Sequence, residues 1–241
     1  MAGQQTMQIL KVKLYQEVAV YRNPITMEVI ESFPLPPPST VLGLAQSLLS
    51  EREPLLHLNV SIQGNYGALY RDYQHYIKGT PADRRYPIVV HNLHDVHLVL
   101  HFSADNETLE RLYNVFRNPP YYPYLGRAED LLLVEEVRRC NIHEQDEESG
   151  FLSDALNAYI PANVCRELNM AGVPYRLPTI CRFTPILIDG VERLVRTFDW
   201  VDYHFVEAES DFSTDEPVKI LKDDEGDFVW WSMPNHGPQK H

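Results

Sequence analysis

The segment Phe33–Leu49, FPLPPPSTVLGLAQSLL, restricts the fold more than any other stretch. Pro34, Pro36, Pro37 and Pro38 fix φ and remove backbone donors, so the chain must enter this segment extended. Ser39 suits an N-cap. Val41, Leu42, Leu44, Ala45, Leu48 and Leu49 then recur at helical spacing, so a short amphipathic helix begins here. Ser39, Thr40 and Gly43 surround its first turn, where free N–H groups and the helix dipole favour an anion. The same residues also suit a plain cap and a packing contact.

The elements around this helix set its context. Met7–Tyr15 alternates, with Leu10, Val12 and Leu14 on one side and Ile9, Lys11, Lys13 and Tyr15 on the other, as in a half-buried strand. Leu55–Leu69 reads as one or two strands. Val96, Leu98, Leu100 and Phe102 alternate with Asp95, His97, Val99 and His101, which gives another strand and sets His97 and His101 on the face away from the core. Leu109, Leu112, Tyr113 and Phe116 form the stripe of a second helix over Asp105–Asn118, stopped by Pro119 and Pro120. Leu131–Val137 is a further strand. The order strand, helix, strands, helix, strand fits an α+β, ferredoxin-like (RRM-like) βαββαβ unit over residues 1–140.

His143–Gly150, HEQDEESG, reads as a surface loop or seam, and residues 141–241 as a smaller β-rich region. Asp189-Gly190 between Ile186–Ile188 and Val191–Val195 predicts a two-residue hairpin turn. Val218–Leu221 and Phe228–Trp231 form a second candidate hairpin. The formal net charge of −13 argues against a nucleic-acid binder when taken as a sum. Its distribution changes that reading. Residues 1–100 hold eight basic and eight acidic side chains, whereas residues 141–241 hold eight and nineteen. An RNA surface in the first half would face away from the acidic part.

The basic groups of the first half concentrate in Tyr70–Tyr86, YRDYQHYIKGTPADRRY, between two expected strands. Arg71, Lys78, Arg84 and Arg85 outnumber Asp72 and Asp83, and Tyr70, Tyr73, Tyr76 and Tyr86 interleave with them around His75. Cations pair phosphates and aromatic faces stack on unpaired bases. A solvated hairpin with structural tyrosines has the same composition. His91, His94 and His97 resemble a metal set, but on a regular strand the middle one faces the opposite way. We therefore expect no metal and no cofactor. GxSxG, Walker A, GxGxxG and HExxH motifs are absent. The three cysteines, Cys140, Cys165 and Cys181, lack CxxC spacing. No apolar run reaches membrane-spanning length, and the first residues carry no signal-peptide pattern.

YRNP at Tyr21–Pro24, PLPPPSTVLG at Pro34–Gly43 and NPPYYPYLGRAEDLLLVEEV at Asn118–Val137 together resemble the CRISPR-associated Cas-five family of the RAMP group, closest to its type I-B and related branches. The resemblance covers about the first 140 residues. It implies a non-catalytic, cytoplasmic prokaryotic subunit of the type I Cascade complex, serving antiviral defence. Such a subunit grips the 5′ handle of crRNA and caps the backbone. Its expected neighbours are the Cas-seven-type backbone subunit and the large subunit. A β-hairpin thumb, here at about residues 70–91, touches RNA. Carried onto this sequence, Arg71, Lys78, Arg84 and Arg85 meet phosphates, and Tyr73 and Tyr76 stack on bases beside His75. Arg22, Ser39 and Thr40 at the helix start, and Arg127 of LGRAED, add contacts. One branch of the family is instead a metal-independent endoribonuclease that cuts CRISPR repeat RNA with His, Lys and Tyr side chains. His75, Tyr76 and Lys78 keep that alternative open.

Overall fold

The alternating strands pair into one sheet. A computed structural model describes residues 7–26, 29–77, 85–152 and 154–233. Strand β1 is Met7–Ala19, β2 is the short Val29–Ile30, helix α1 is Pro38–Leu48, β3 is Asn59–Ile77 and β4 is Arg85–Ser103. Helix α2 (Asn106–Arg117) and β5 (Leu133–Glu147) follow. The middle of the sheet runs β5-β1-β4-β3, and each neighbouring pair is antiparallel. Strand β2 pairs with β4 in parallel at Val89 and Val90. The apolar stripes of both helices join Leu10, Val12 and Leu14 of β1 and Leu98, Leu100 and Phe102 of β4 in one core.

Helix α2 starts as expected: Asp105 Oδ1 accepts the Thr108 N–H at 2.9 Å, and Leu109, Leu112 and Phe116 are buried. Helix α1 starts earlier than the serine suggested. Pro37 is the cap, with its carbonyl accepting from Thr40 N at 2.9 Å and Val41 N at 3.3 Å. Ser39 makes no capping bond and lies in the first turn. Pro38 already has the φ a first helical residue needs and has no N–H to satisfy, so the helix begins on it.

The rest of the chain is β6 (Gly150–Phe151), β7 (Asn157–Pro161), α3 (Ala162–Glu167), β8 (Val173–Ile188), β9 (Val191–Val206), β10 (Asp211–Phe212) and β11 (Val218–Asp223). The fold is thus mostly β, with few helices. Strands β7, β8, β9 and β11 extend the same sheet at both ends, giving β11-β5-β1-β4-β3-β7-β9-β8, while β6 and β10 pair as a separate two-stranded sheet. Position 140 lies inside β5. The expected loop at 143–150 is largely strand, because His143–Glu147 pairs with β11. Two of its four acids are matched by β11 cations, Glu144 by Lys219 and Glu147 by Lys222, while Ile220 is buried. The Asp189-Gly190 turn forms as predicted, with φ of 51° and 76° suiting a type I′ hairpin. The outer halves of β8 and β9 are exposed on both faces. Pro174, Pro178 and Pro185 mark β8, the edge strand, where missing donors discourage further pairing.

The second expected hairpin forms only at its turn. Phe228 bridges to Lys222, and Val229 N donates to Leu221 O at 2.9 Å. The chain then leaves β11 and crosses the sheet face opposite α1 and α2. Trp230 N donates to Ser61 Oγ at 2.9 Å, Ser232 N to Val60 O at 2.9 Å, and Asn59 Nδ2 to Met233 O at 2.9 Å. Residues 228–233 are therefore a strap. None of the described helices is long and apolar enough to cross a membrane.

Candidate nucleic-acid interface

Strands β3 and β4 are each 19 residues long and pair in one register from Asn59↔Ser103 to Ile77↔Arg85, save at Gly67 and Asp95. Strand β7 reaches only Gln63 and Gly64 of β3, so beyond that point the outer edge of β3 has no strand beside it among the described residues. The side chains of residues 67–73 are all exposed, and the two strands project as an arm. Arg71, Tyr73 and His75 alternate along β3 and so share one face. Tyr73 is 65% exposed, and its ring meets that of His75 edge-on at 6.0 Å. Arg71 makes no ion pair among the described residues. Tyr70 lies on the other face at 42% exposure, beside Asp72, which accepts from Gln74 Nε2 at 2.8 Å. Tyr76 and Arg85 belong to the last backbone pairs of the arm. Lys78 and Arg84 lie outside the described residues.

The other expected contacts are dispersed. Arg22 is exposed beside the bridge it forms with Ser32. Ser39 and Thr40 are half-buried. The space at that helix start is a crevice of about 30 Å³, lined by Ser39, Gly43, Ile180 and Cys181 among others. Gly43 faces open space, so no close packing contact calls for a glycine there. Arg127 is held within the protein. Its guanidinium donates to Asp130 Oδ1 at 2.7 Å, to Asn92 Oδ1 at 3.3 Å, and pairs with Glu129 at 3.4 Å.

The histidines also depart from the expected pattern. Asp95 has φ of 57°, which breaks strand alternation, so Leu93 and Val96, three apart, both join the core. His94 and His97 are in consequence both exposed, and His97 Nε2 lies 3.2 Å from Asp95 Oδ1. His101 is the opposite case. Its face is covered, and the ring is fully buried rather than available to a partner.

The family described as CRISPR-associated protein (Cas_Cas5) matches residues 9–212. The chain belongs to this family. Comparison with curated protein sequences gives no match. Among solved structures, the chain is similar to a chain described as "CRISPR RNA-guided surveillance complex", at 14% identity over 82% of this chain and 90% of that one, with a TM-score of 0.47. It is similar to a CRISPR protein from Archaeoglobus fulgidus, at 14% identity over 92% and 98%, with a TM-score of 0.45. It is also similar to a chain of the Type III-B Cmr-beta complex bound to cognate target RNA and AMPPnP, at 11% identity over 85% and 86%, with a TM-score of 0.43.

The Cas_Cas5 match extends well past Cys140, and the motifs of this chain have structural explanations within it. In LGRAED, Gly126 sits at φ of +110°, and a Cβ there would fall 2.7 Å from Val20 O. The Asp130 carboxylate accepts from Val20 N at 3.0 Å and Arg127 N at 2.9 Å. Gln16 Nε2 donates to the Leu125 and Asp130 carbonyls at 3.0 and 2.8 Å, and Gln16 Oε1 accepts from the Tyr21 hydroxyl at 2.7 Å. YRNP and LGRAED are thereby tied together by one buried network. The proline entry is tied to the far part of the chain, since Tyr159 OH donates to Leu35 O at 3.0 Å.

A second buried network holds the strap side of this Cas_Cas5 chain. Lys11, read as an outward residue, is 0% exposed, as are His101 and Asp223. Lys11 Nζ lies 2.6 Å from Asp223 and 2.7 Å from Glu225, and also pairs with Asp227. Among the described residues, those three carboxylates are the one group with metal-like spacing, and an ammonium already fills it. Burial works against both charged forms, but the mutual hydrogen bonds raise Lys11 and hold Asp223 below the usual carboxylate range. Burial also lowers His101, and its bond to Asp223 only partly offsets this. The ring is neutral, with Nε2 donating to Asp223 Oδ2 at 3.1 Å and Nδ1 without a partner among the described residues.

A pH dependence follows. The unfolded chain takes up a proton at His101 near pH 6.5, whereas the folded chain does so only at lower pH. Stability is therefore full above about pH 6.5 and declines below it, by up to about 1.4 kcal/mol per pH unit for this group. The thermal midpoint should fall by several degrees between about pH 7.5 and 5, and less steeply in His101→Gln. Parallel pH profiles for the two proteins would remove His101 as the cause.

Proposed function

We propose that this chain is a non-catalytic RNA-binding subunit of a type I CRISPR effector complex, with the β3–β4 arm as the thumb that grips the 5′ handle of crRNA. Family membership supports the CRISPR role, and the exposed run of Arg71, Tyr73 and His75 on one face of the arm carries the RNA assignment. The elements β1, α1, β3, β4, α2 and β5 are read as the ferredoxin-like unit, a reading supported by the order β5-β1-β4-β3 with both helices on one face. The opposite face, which RRM-type sheets use for stacking bases, is occupied by the strap, which favours the arm as the contact. The Cas-seven-type backbone subunit and the large subunit are the proposed neighbours, and the type I-B branch the proposed affiliation.

The test is handle binding. In Arg71→Ala with Tyr73→Ala, affinity for a handle-containing RNA should drop by about tenfold or more, and the salt slope of binding should flatten by about one ion. Both side chains are exposed, so the fold should be intact. Unchanged affinity and slope would overturn the thumb assignment. For the endoribonuclease alternative, repeat RNA incubated with the protein and EDTA should stay intact. Cleavage that is lost in His75→Ala would instead make the chain an enzyme.

A further inference from the structure

From Cys181↔Phe198 to Ile188↔Val191, strands β8 and β9 form a second arm. Directly opposed residues share a face of such a ribbon. The pairs Phe183↔Arg196, Pro185↔Leu194 and Leu187↔Glu192 therefore lie on one face, followed by Phe198. Leu187 is 72% exposed and Leu194 71%, and Phe183 and Phe198 are exposed beside them. Large apolar side chains exposed together mark an association surface. Glu192 and Arg196 are exposed on the same face, and neither makes an ion pair among the described residues. The other face satisfies most of its polar groups within the arm. Arg182 meets Asp199 at 2.8 Å, and the Thr184 and Thr197 hydroxyls bond at 2.8 Å.

The order of residues on the first face selects the occupant. Leu194 stands midway between Glu192 and Arg196, and its partner Pro185 midway between Leu187 and Phe183. A half-turn about a line across the strands, through Pro185 and Leu194, lays a second copy of this face on the first. Leu194 then meets the partner's Leu194, Leu187 meets the partner's Phe183, and Glu192 meets the partner's Arg196. Both unpaired charges find the opposite sign, and the apolar side chains find apolar ones. Such self-complementarity is what a two-fold contact requires. A uniformly basic or acidic ligand gains nothing from one charge of each sign, and the two leucines offer no ring on which a base could stack. Pro185 has no N–H to give an added strand, so faces pack rather than edges. We propose that this face of the β8–β9 arm is a docking site for a second copy of the chain, giving a two-fold dimer. This goes beyond the proposed RNA role and does not depend on it.

The test is sedimentation of the isolated full chain at increasing concentration. A reversible monomer–dimer equilibrium is expected, complete by about 100 μM. Leu194→Ser, at an exposed position, should weaken it at least about tenfold, since each substitution counts twice in a two-fold contact. Glu192→Arg alone and Arg196→Glu alone should each sediment as monomers, because like charges then face each other. An equimolar mixture of those two variants should pair, since every charged contact in the mixed dimer is again between opposite signs. That pairing also shows that both variants are folded. A wild-type chain that stays monomeric at about 100 μM overturns the proposal. So does a dimer indifferent to Leu194→Ser, dimerisation of either charge variant alone, or a mixture that fails to pair. Dissociation of the wild-type dimer by octauridine would make RNA the occupant and equally overturns it.

Discussion

Replacing Lys11 with Ala is expected to lower folding stability by about 3–5 kcal/mol, the scale for removing one partner of a buried ion pair. Lys11 and Asp223 are both fully buried, and the variant leaves the Asp223 carboxylate with His101 as its remaining side-chain partner. For a chain of this size the thermal midpoint should drop by roughly 10 °C. The loss reflects an uncompensated charge, so it should shrink when the charge is also removed. Lys11→Met combined with Asp223→Asn should therefore recover part of the stability lost in Lys11→Met alone. Calorimetric or fluorescence melts of the three variants decide this. A loss under about 1 kcal/mol in the single variants, or no recovery in the double, would show that the ammonium does not hold the strap side together.

The second large effect is at Asp130, which is 2% exposed. Its carboxylate serves two backbone N–H groups and the Arg127 guanidinium, so Asp130→Ala strands all of these at once. About 3–5 kcal/mol of stability should be lost, and Asp130→Asn, which keeps an acceptor, should lose less. Arg127→Ala should lower the melting temperature too, with no change in the salt slope of RNA binding. A flattened salt slope at an unchanged melting temperature would instead assign Arg127 to RNA.

These two networks show where sequence reasoning stops. The helix stripes, the Asp105 cap and the Asp-Gly turn rest on neighbours within a few positions, and all were legible. Lys11 was read as outward because strand alternation speaks for one layer only. The layer that covers it comes from Asp223–Asp227, more than 200 positions away. The acidic run at 143–150 looked like a loop because its partners, Lys219 and Lys222, lie in a strand too distant to be seen in the local pattern. The histidine register failed at Asp95, where a single left-handed residue shifts the alternation. For the interface, the cations and tyrosines of the arm were legible as a composition. That Arg71, Tyr73 and His75 share an exposed face required strands far longer than the apolar pattern implied.

The arm of β3 and β4 has a mechanical consequence. Its strands are not an appendage on a linker. They are inner strands of the main sheet, and one register runs from the core out to Ile77 and Arg85, interrupted at Gly67 and Asp95. The register is the same on both sides of that interruption, so paired backbone joins root and tip. The direction in which Arg71 and Tyr73 point is set when the chain folds, so a ligand meeting them orders little further backbone on arrival. The same stiffness makes the arm a lever: a load at its outer end is borne as torsion by the sheet that also carries β1, β5 and the strap.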